Sequence, residues 1–142
     1  MIYCDASLLV ALVASESFSA EAAVWFDGVG PSDLGYSSWA DVEVASALAR
    51  KQRSHILGDN GRATAVLRWR RLAAPLTMLA VDADDFASAA TFVDAGPRGL
   101  RAGDALHLAI VKRAGLALAT LDRDLADAAE AVGVEMALRP PA

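Results

Sequence analysis

Met1-Ile2-Tyr3-Cys4-Asp5-Ala6-Ser7-Leu8-Leu9-Val10 opens the chain and carries the pattern on which the fold is read. Met1 to Cys4 reads as a short strand, Ala6 to Ala14 as a helix, and Asp5 stands at the junction. The same alternation recurs downstream. Ala20 to Phe26 is helical and ends near Gly28 and Gly30, and Leu34 to Ser37 is a second strand. Ser38 is placed to cap a helix from Trp39 to about Arg53, because a serine hydroxyl can accept an orphan backbone N–H. A helix from about Asn60 to Ala73 is stopped by Pro75. Thr77 to Val81 is a third strand, followed by a helix from Ala83 to Val93 with Asp82 as its cap. Ala102 to Arg113 is helical and closed by Gly115. Leu116 to Thr120 is a fourth strand, Arg123 to Ala131 a helix, and Val134 to Ala137 a last strand. Strand alternating with helix gives the α/β class, with a mostly parallel central sheet and helices on both faces. Ligands of such sheets bind at the carboxyl ends of the strands.

The length of 142 residues suits one domain, with 138–142, ending in Pro140 and Pro141, expected to be a flexible tail. At 55% hydrophobic and 22% charged residues, the composition excludes a disordered chain. The longest uncharged runs, Ala6 to Ser15 and Leu72 to Val81, fall short of the roughly 20 apolar residues of a membrane span. The opening lacks the basic start of a secretory signal, so a cytoplasmic location and no membrane partner are expected. The lone Cys4 can form no intrachain disulfide and reads as a small core hydrophobe. A net charge of -5 argues against a broad nucleic-acid-binding surface. The charge is uneven, however. Arg50, Lys51, Arg53, Arg62, Arg68, Arg70 and Arg71 fall in one stretch with only Asp59 against them.

Four acids strain a purely structural reading. Asp5 follows the first strand, where it faces the carboxyl edge or caps the helix beginning at Ala6. Glu43 is the only ionisable residue between Asp41 and Arg50, in a helix apolar nearly all round, where it is expected either to be buried or to lie on a narrow solvated stripe with Trp39, Ser46 and Arg50. Asp104 poses the same problem in Ala102-Gly103-Asp104-Ala105-Leu106-His107-Leu108-Ala109-Ile110, where Gly103 permits a close approach. His107, one turn further on, reads as a hydrogen-bonded core residue. Asp122 follows the fourth strand, and either it or Asp124 caps the next helix. Clustered carboxylates repel one another, so a site of this kind implies a bound cation. Oxygen ligands favour Mg²⁺ or Mn²⁺, and no Cys/His set has zinc spacing. Phosphodiester hydrolysis assisted by metal is the chemistry that follows.

At four places the chain resembles the PIN-domain family. Met1 to Val10 resembles its opening, with Asp-x-Ser after the first strand. Trp39-Ala40-Asp41-Val42-Glu43-Val44-Ala45-Ser46-Ala47-Leu48 resembles its Glu-bearing helix. Arg101 to Ala109 and Thr120-Leu121-Asp122-Arg123-Asp124-Leu125 resemble its third and fourth acidic motifs. The nearest subgroup is the toxin of VapBC-type modules. The resemblance implies a dimeric endoribonuclease that cleaves RNA and is inhibited by a cognate antitoxin. It carries the catalytic and metal roles to Asp5, Glu43, Asp104 and Asp122, and helper roles to Ser7, Thr120 and Asp124. Ala6 stands where the family often has Thr, which touches none of the acids.

The expected mechanism is in-line attack by a water that a Mg²⁺ or Mn²⁺ ion activates, leaving a 3′-hydroxyl and a 5′-phosphate. Arg50, Arg68 and Arg70 are the expected RNA contacts, with Trp69 either a stacking face or a core residue. The alternatives are a degenerate PIN domain, an acidic binding module of the signalling-receiver kind, and a small-molecule phosphatase. Ser7 stands where an aspartyl phosphatase would carry a second acid. The only lysines, Lys51 and Lys112, do not follow strands as a receiver would require.

Overall fold

The structure is a computed structural model describing residues 1–96 and 100–141, so Ala142 of the expected tail lies outside the described residues. Five strands form one sheet: β1 (Ile2–Cys4), β2 (Leu34–Ser37), β3 (Thr77–Leu79), β4 (Ala117–Ala119) and β5 (Met136–Leu138). Their order is β3-β2-β1-β4-β5, and all four pairings are parallel. Among the described residues, seven α-helices connect them: α1 (Ala6–Val13), α2 (Ser19–Val29), α3 (Ser38–Arg53), α4 (Asp59–Ala73), α5 (Ala83–Ala95), α6 (Ala102–Ala114) and α7 (Arg123–Ala131). None of the described helices is long and apolar enough to cross a membrane.

The period-two alternation of a strand splits the core into two. Cys4 and Ala119 point to one face, packed with residues of α1, α3 and α4. Tyr3 and Leu118 point to the other, packed with residues of α5, α6 and α7. Parallel strands buried on both faces need such cover on each side. The chain lays down β1, β2 and β3 outward in one direction and then returns to place β4 on the other side of β1. That reversal leaves a crevice at the carboxyl ends of β1 and β4. Asp5 and Asp122 follow those two strands.

Three expectations are corrected. Ser37, the last residue of β2, caps α3: its hydroxyl accepts the Ala40 N–H at 3.1 Å from an extended backbone, whereas Ser38 is exposed. β5 begins at Met136 rather than Val134, because the Val134 N–H is spent on Ala129 O behind Gly133 in closing α7. The start of the expected tail belongs to the sheet rather than lying beyond it. Leu138 pairs with Ala119, Arg139 is ion-paired to Asp127 and Glu130, and Pro140 is buried.

The two acid-bearing helices also differ. α6 is buried continuously from Asp104 to Val111, as an apolar sequence demands. α3 buries only Ala40, Val44 and Leu48 and leaves Val42 58% exposed, so Glu43 is half-buried rather than enclosed. Alanines made α3 look apolar all round, but alanine is small enough to sit on a surface. An ion pair joins the end of α6 to the start of α5. Arg113 Nε donates to Asp85 Oδ1 at 2.7 Å and its Nη2 to Oδ2 at 2.9 Å, while Asp82 and Asp85 form a capping box.

Candidate active site

A cleft of about 600 Å³ opens at the crevice between β1 and β4. Asp5, Glu43, Asp104 and Asp122 all line it, with Ser7, Trp39, Arg50, Lys51, Arg101 and His107. Acids from four separate segments therefore line one cleft.

Asp5 fills both of the roles considered for it. Its Oδ1 accepts the Leu8 N–H at 3.2 Å, capping α1, and the Ser7 hydroxyl at 2.8 Å. Ser7 in turn accepts the Leu121 N–H at 2.8 Å and lies 3.2 Å from Thr120 Oγ1. Thr120 accepts the Asp122 N–H at 2.9 Å. These bonds lock the turn after β1 to the turn after β4, so Ser7 and Thr120 fix the spacing of Asp5 and Asp122. Asp5 is 3% exposed, and burial raises its carboxyl above the ordinary aspartate range. His107, Ser7, the Leu8 amide and Thr120 offset only part of that shift.

The other acids are held by positive or donor groups. Arg101 Nε donates to Asp104 Oδ2 at 2.9 Å and its Nη2 to Asp122 Oδ2 at 2.7 Å. One guanidinium thus bridges two of the four acids. Asp122 Oδ1 accepts the Leu125 N–H and caps α7, while Asp124 is exposed and does not line the cleft. Glu43 Oε2 lies 2.5 Å from His107 Nε2, and His107 Nδ1 lies 2.7 Å from Tyr3 Oη. His107 is the hydrogen-bonded core residue expected, but its partner is a site acid. A Cβ on Gly103 would stand 2.8 Å from Glu43 Oε1 and 3.5 Å from the Trp39 ring, so a side chain there would make the Glu43 carboxylate shift.

Among the described residues, no three Asp, Glu, His or Cys side chains stand close enough to enclose a metal ion. The four-carboxylate donor set nevertheless suits a hard divalent cation. Asp5 has no ion pair among the described residues, and Arg101 is the counter-charge that such an ion would replace at Asp104 and Asp122.

The arginine track is only partly assembled. Arg50 lines the cleft; Arg68 and Arg70 are exposed on α4 and do not. Trp69 is a core residue. Its ring packs edge-on to Tyr36 and its Nε1 donates to Asp41 Oδ1 at 2.6 Å, so it offers no stacking face. Arg101 also lines the cleft, and its pairing with Asp104 and Asp122 is not among the sequence expectations. Its position three residues before Asp104 was the available signal.

Residues 2–131 match the PIN domain family. Two curated proteins of Mycobacterium tuberculosis strains, Ribonuclease VapC45 and Ribonuclease VapC49, are each 34% identical over 96% of this chain and 94% of their own length. Among solved structures, the fold resembles Mycobacterium tuberculosis VapC20, described as a sarcin-ricin loop cleaving toxin (TM-score 0.72, 20% identity, 94% and 96% of the two chains). It also resembles the Neisseria gonorrhoeae FitAcB structure (TM-score 0.71, 19% identity, 99% and 97% of the two chains).

Proposed function

This chain belongs to the PIN domain family and its VapC ribonuclease branch, and from that premise we propose a Mg²⁺- or Mn²⁺-dependent endoribonuclease acting as the toxin of a toxin–antitoxin pair. The observation that carries the proposal is the meeting of Asp5, Glu43, Asp104 and Asp122 in one cleft. Asp5 and Asp104 are the principal ligands in this reading, and Glu43 and Asp122 complete the set. The cation, when bound, acidifies water and offsets charge on phosphoryl oxygens.

The chain's own residues position the substrate. Ser7 and Thr120 hold the two post-strand turns in register. Arg101, freed from Asp104 and Asp122, offers a guanidinium that pairs with phosphate as it does with carboxylate. Arg50 follows Glu43 by seven residues on α3, roughly 10 Å along the helix at about 1.5 Å per residue. That separation suits a phosphate one or two nucleotides from the reacting one. Arg68 and Arg70, outside the cleft, would serve only a longer RNA. A homodimer, a cognate antitoxin and a cytoplasmic location complete the reading. A carboxylate cleft is also a natural receptor for a partner's arginine.

Thermal melts test the cation site directly. A ligand that binds only the folded state adds about 2.7 kcal/mol at roughly 100 times its Kd. Mn²⁺ or Mg²⁺ at millimolar concentration should therefore raise the melting temperature, and EDTA should reverse the rise. Superimposable curves with and without metal would count against the site.

A further inference from the structure

A line of buried hydrogen bonds ends on Glu43. The Ala40 N–H donates to Ser37 Oγ at 3.1 Å. Ser37 Oγ lies 2.7 Å from Tyr3 Oη, which lies 2.7 Å from His107 Nδ1. His107 Nε2 then meets Glu43 Oε2 at 2.5 Å. Ser37, Tyr3 and His107 are 0%, 0% and 2% exposed, so water does not compete along the line. It joins β2, β1, α6 and α3, and the last two carry residues that line the cleft.

One placement of protons satisfies every group. An ionised Glu43 oxygen only accepts, so His107 Nε2 carries a hydrogen. Ser37 Oγ accepts from Ala40, and its own hydroxyl hydrogen has Tyr3 Oη as its acceptor among the described residues. Tyr3 Oη, accepting from Ser37, then donates to His107 Nδ1. Every bond therefore points the same way, from the N-terminus of α3 to Glu43, and bonds so aligned reinforce one another.

We propose that His107 is a positioning residue for RNA cleavage: with Tyr3 and Ser37 behind it, it holds Glu43 Oε2 and so keeps Oε1 turned to the cleft beside Gly103. The proposal rests on the reading of Glu43 as a cation ligand. Groups behind a ligating carboxylate fix its orientation, and their loss typically costs about 10–100-fold in metal affinity.

The test titrates Mn²⁺ calorimetrically into wild type, His107→Leu, His107→Gln and Tyr3→Phe, with Asp5→Asn as control. His107→Leu should weaken Mn²⁺ binding by about 10–100-fold. His107→Gln should recover most of the loss, because an amide offers both a donor and an acceptor. Tyr3→Phe should weaken binding without touching Glu43. In the wild type, ¹⁵N shifts of the imidazole should show Nδ1 bare and Nε2 protonated. If His107→Leu does not fold, Tyr3→Phe and the imidazole shifts decide. Wild-type Mn²⁺ affinity in the folded His107 and Tyr3 variants, with Asp5→Asn impaired, overturns the relay alone, as does an Nε2 without a proton. Wild-type affinity in Asp5→Asn as well overturns the cation reading and the relay with it.

Discussion

Asp5→Asn should lower RNA cleavage by at least about 100-fold, the scale of losing one group that stabilises charge in the transition state. The same protein should melt at or above the wild-type temperature. The Asn oxygen can still accept from Leu8 and Ser7, so the α1 cap survives. Burial already disfavours the Asp5 carboxylate, and the substitution removes that charge. The sign follows by linkage. A carboxyl whose folded pKa is raised costs stability as pH rises from its unfolded value through its folded one. Asn abolishes this cost, so the stability gap between variant and wild type should widen as pH rises through that window. Measured cleavage and melting together separate function from folding: a folded Asp5→Asn protein that cuts at the wild-type rate would remove Asp5 from the site.

Arg113→Ala should have the largest effect on stability, a loss of about 2 kcal/mol. Breaking a buried ion pair costs about 3–5 kcal/mol because the remaining charge is stranded. That figure is discounted here because the Arg113 side chain is 37% exposed and partly screened. Asp85 itself is 1% exposed and would keep only the Asp82 N–H as partner. The melting temperature should fall by roughly 5–10 °C. Although burial alone would raise the Asp85 carboxyl, the Arg113 guanidinium and the Asp82 amide hold it below the ordinary aspartate range. A depressed carboxyl contributes stability above its unfolded pKa, and that contribution is lost as pH falls through the folded one. Wild type should therefore lose its advantage over Arg113→Ala in acid. Denaturant unfolding at neutral and acidic pH measures the difference. An unchanged midpoint at neutral pH would show that α5 and α6 are held by their apolar packing alone.

Cation binding would draw on three acids that the structure commits elsewhere. Arg101 and His107 neutralise or pin three of the four carboxylates, and among the described residues Asp5 alone of the four stands without such a partner. The cleft is thus poised between internal pairing and an external ion. In the proposed reading, RNA phosphate would offer Arg101 an alternative partner and so would couple substrate binding to release of Asp104 and Asp122.

The parts of this arrangement that are local were legible in the sequence. Short apolar runs ending in Asp5 and near Asp122 marked strands and their carboxyl edges, and Gly103 announced the close approach that Glu43 makes. Parallel order followed from strand and helix alternation. Pairings between distant segments left no such trace. His107 meets Glu43 across 64 positions and Arg101 meets Asp122 across 21, and nothing in either neighbourhood specifies the partner. Ser37 and Ser38 are equivalent in composition, and only the backbone angle at the end of β2 selects the first as the cap. The arginines of 50–71 looked like one track in the linear chain. Helix geometry instead sends Arg50 into the cleft and Arg68 and Arg70 to the outside of α4.

The chemistry of the cut ends tests the central claim most directly. Total RNA incubated with the protein and Mn²⁺, then sequenced at both new termini, should show 3′-hydroxyl and 5′-phosphate ends, with no cutting in EDTA. Those ends follow when water, rather than the neighbouring ribose hydroxyl, attacks phosphorus. Cutting that persists in EDTA and leaves 2′,3′-cyclic phosphates would contradict the account.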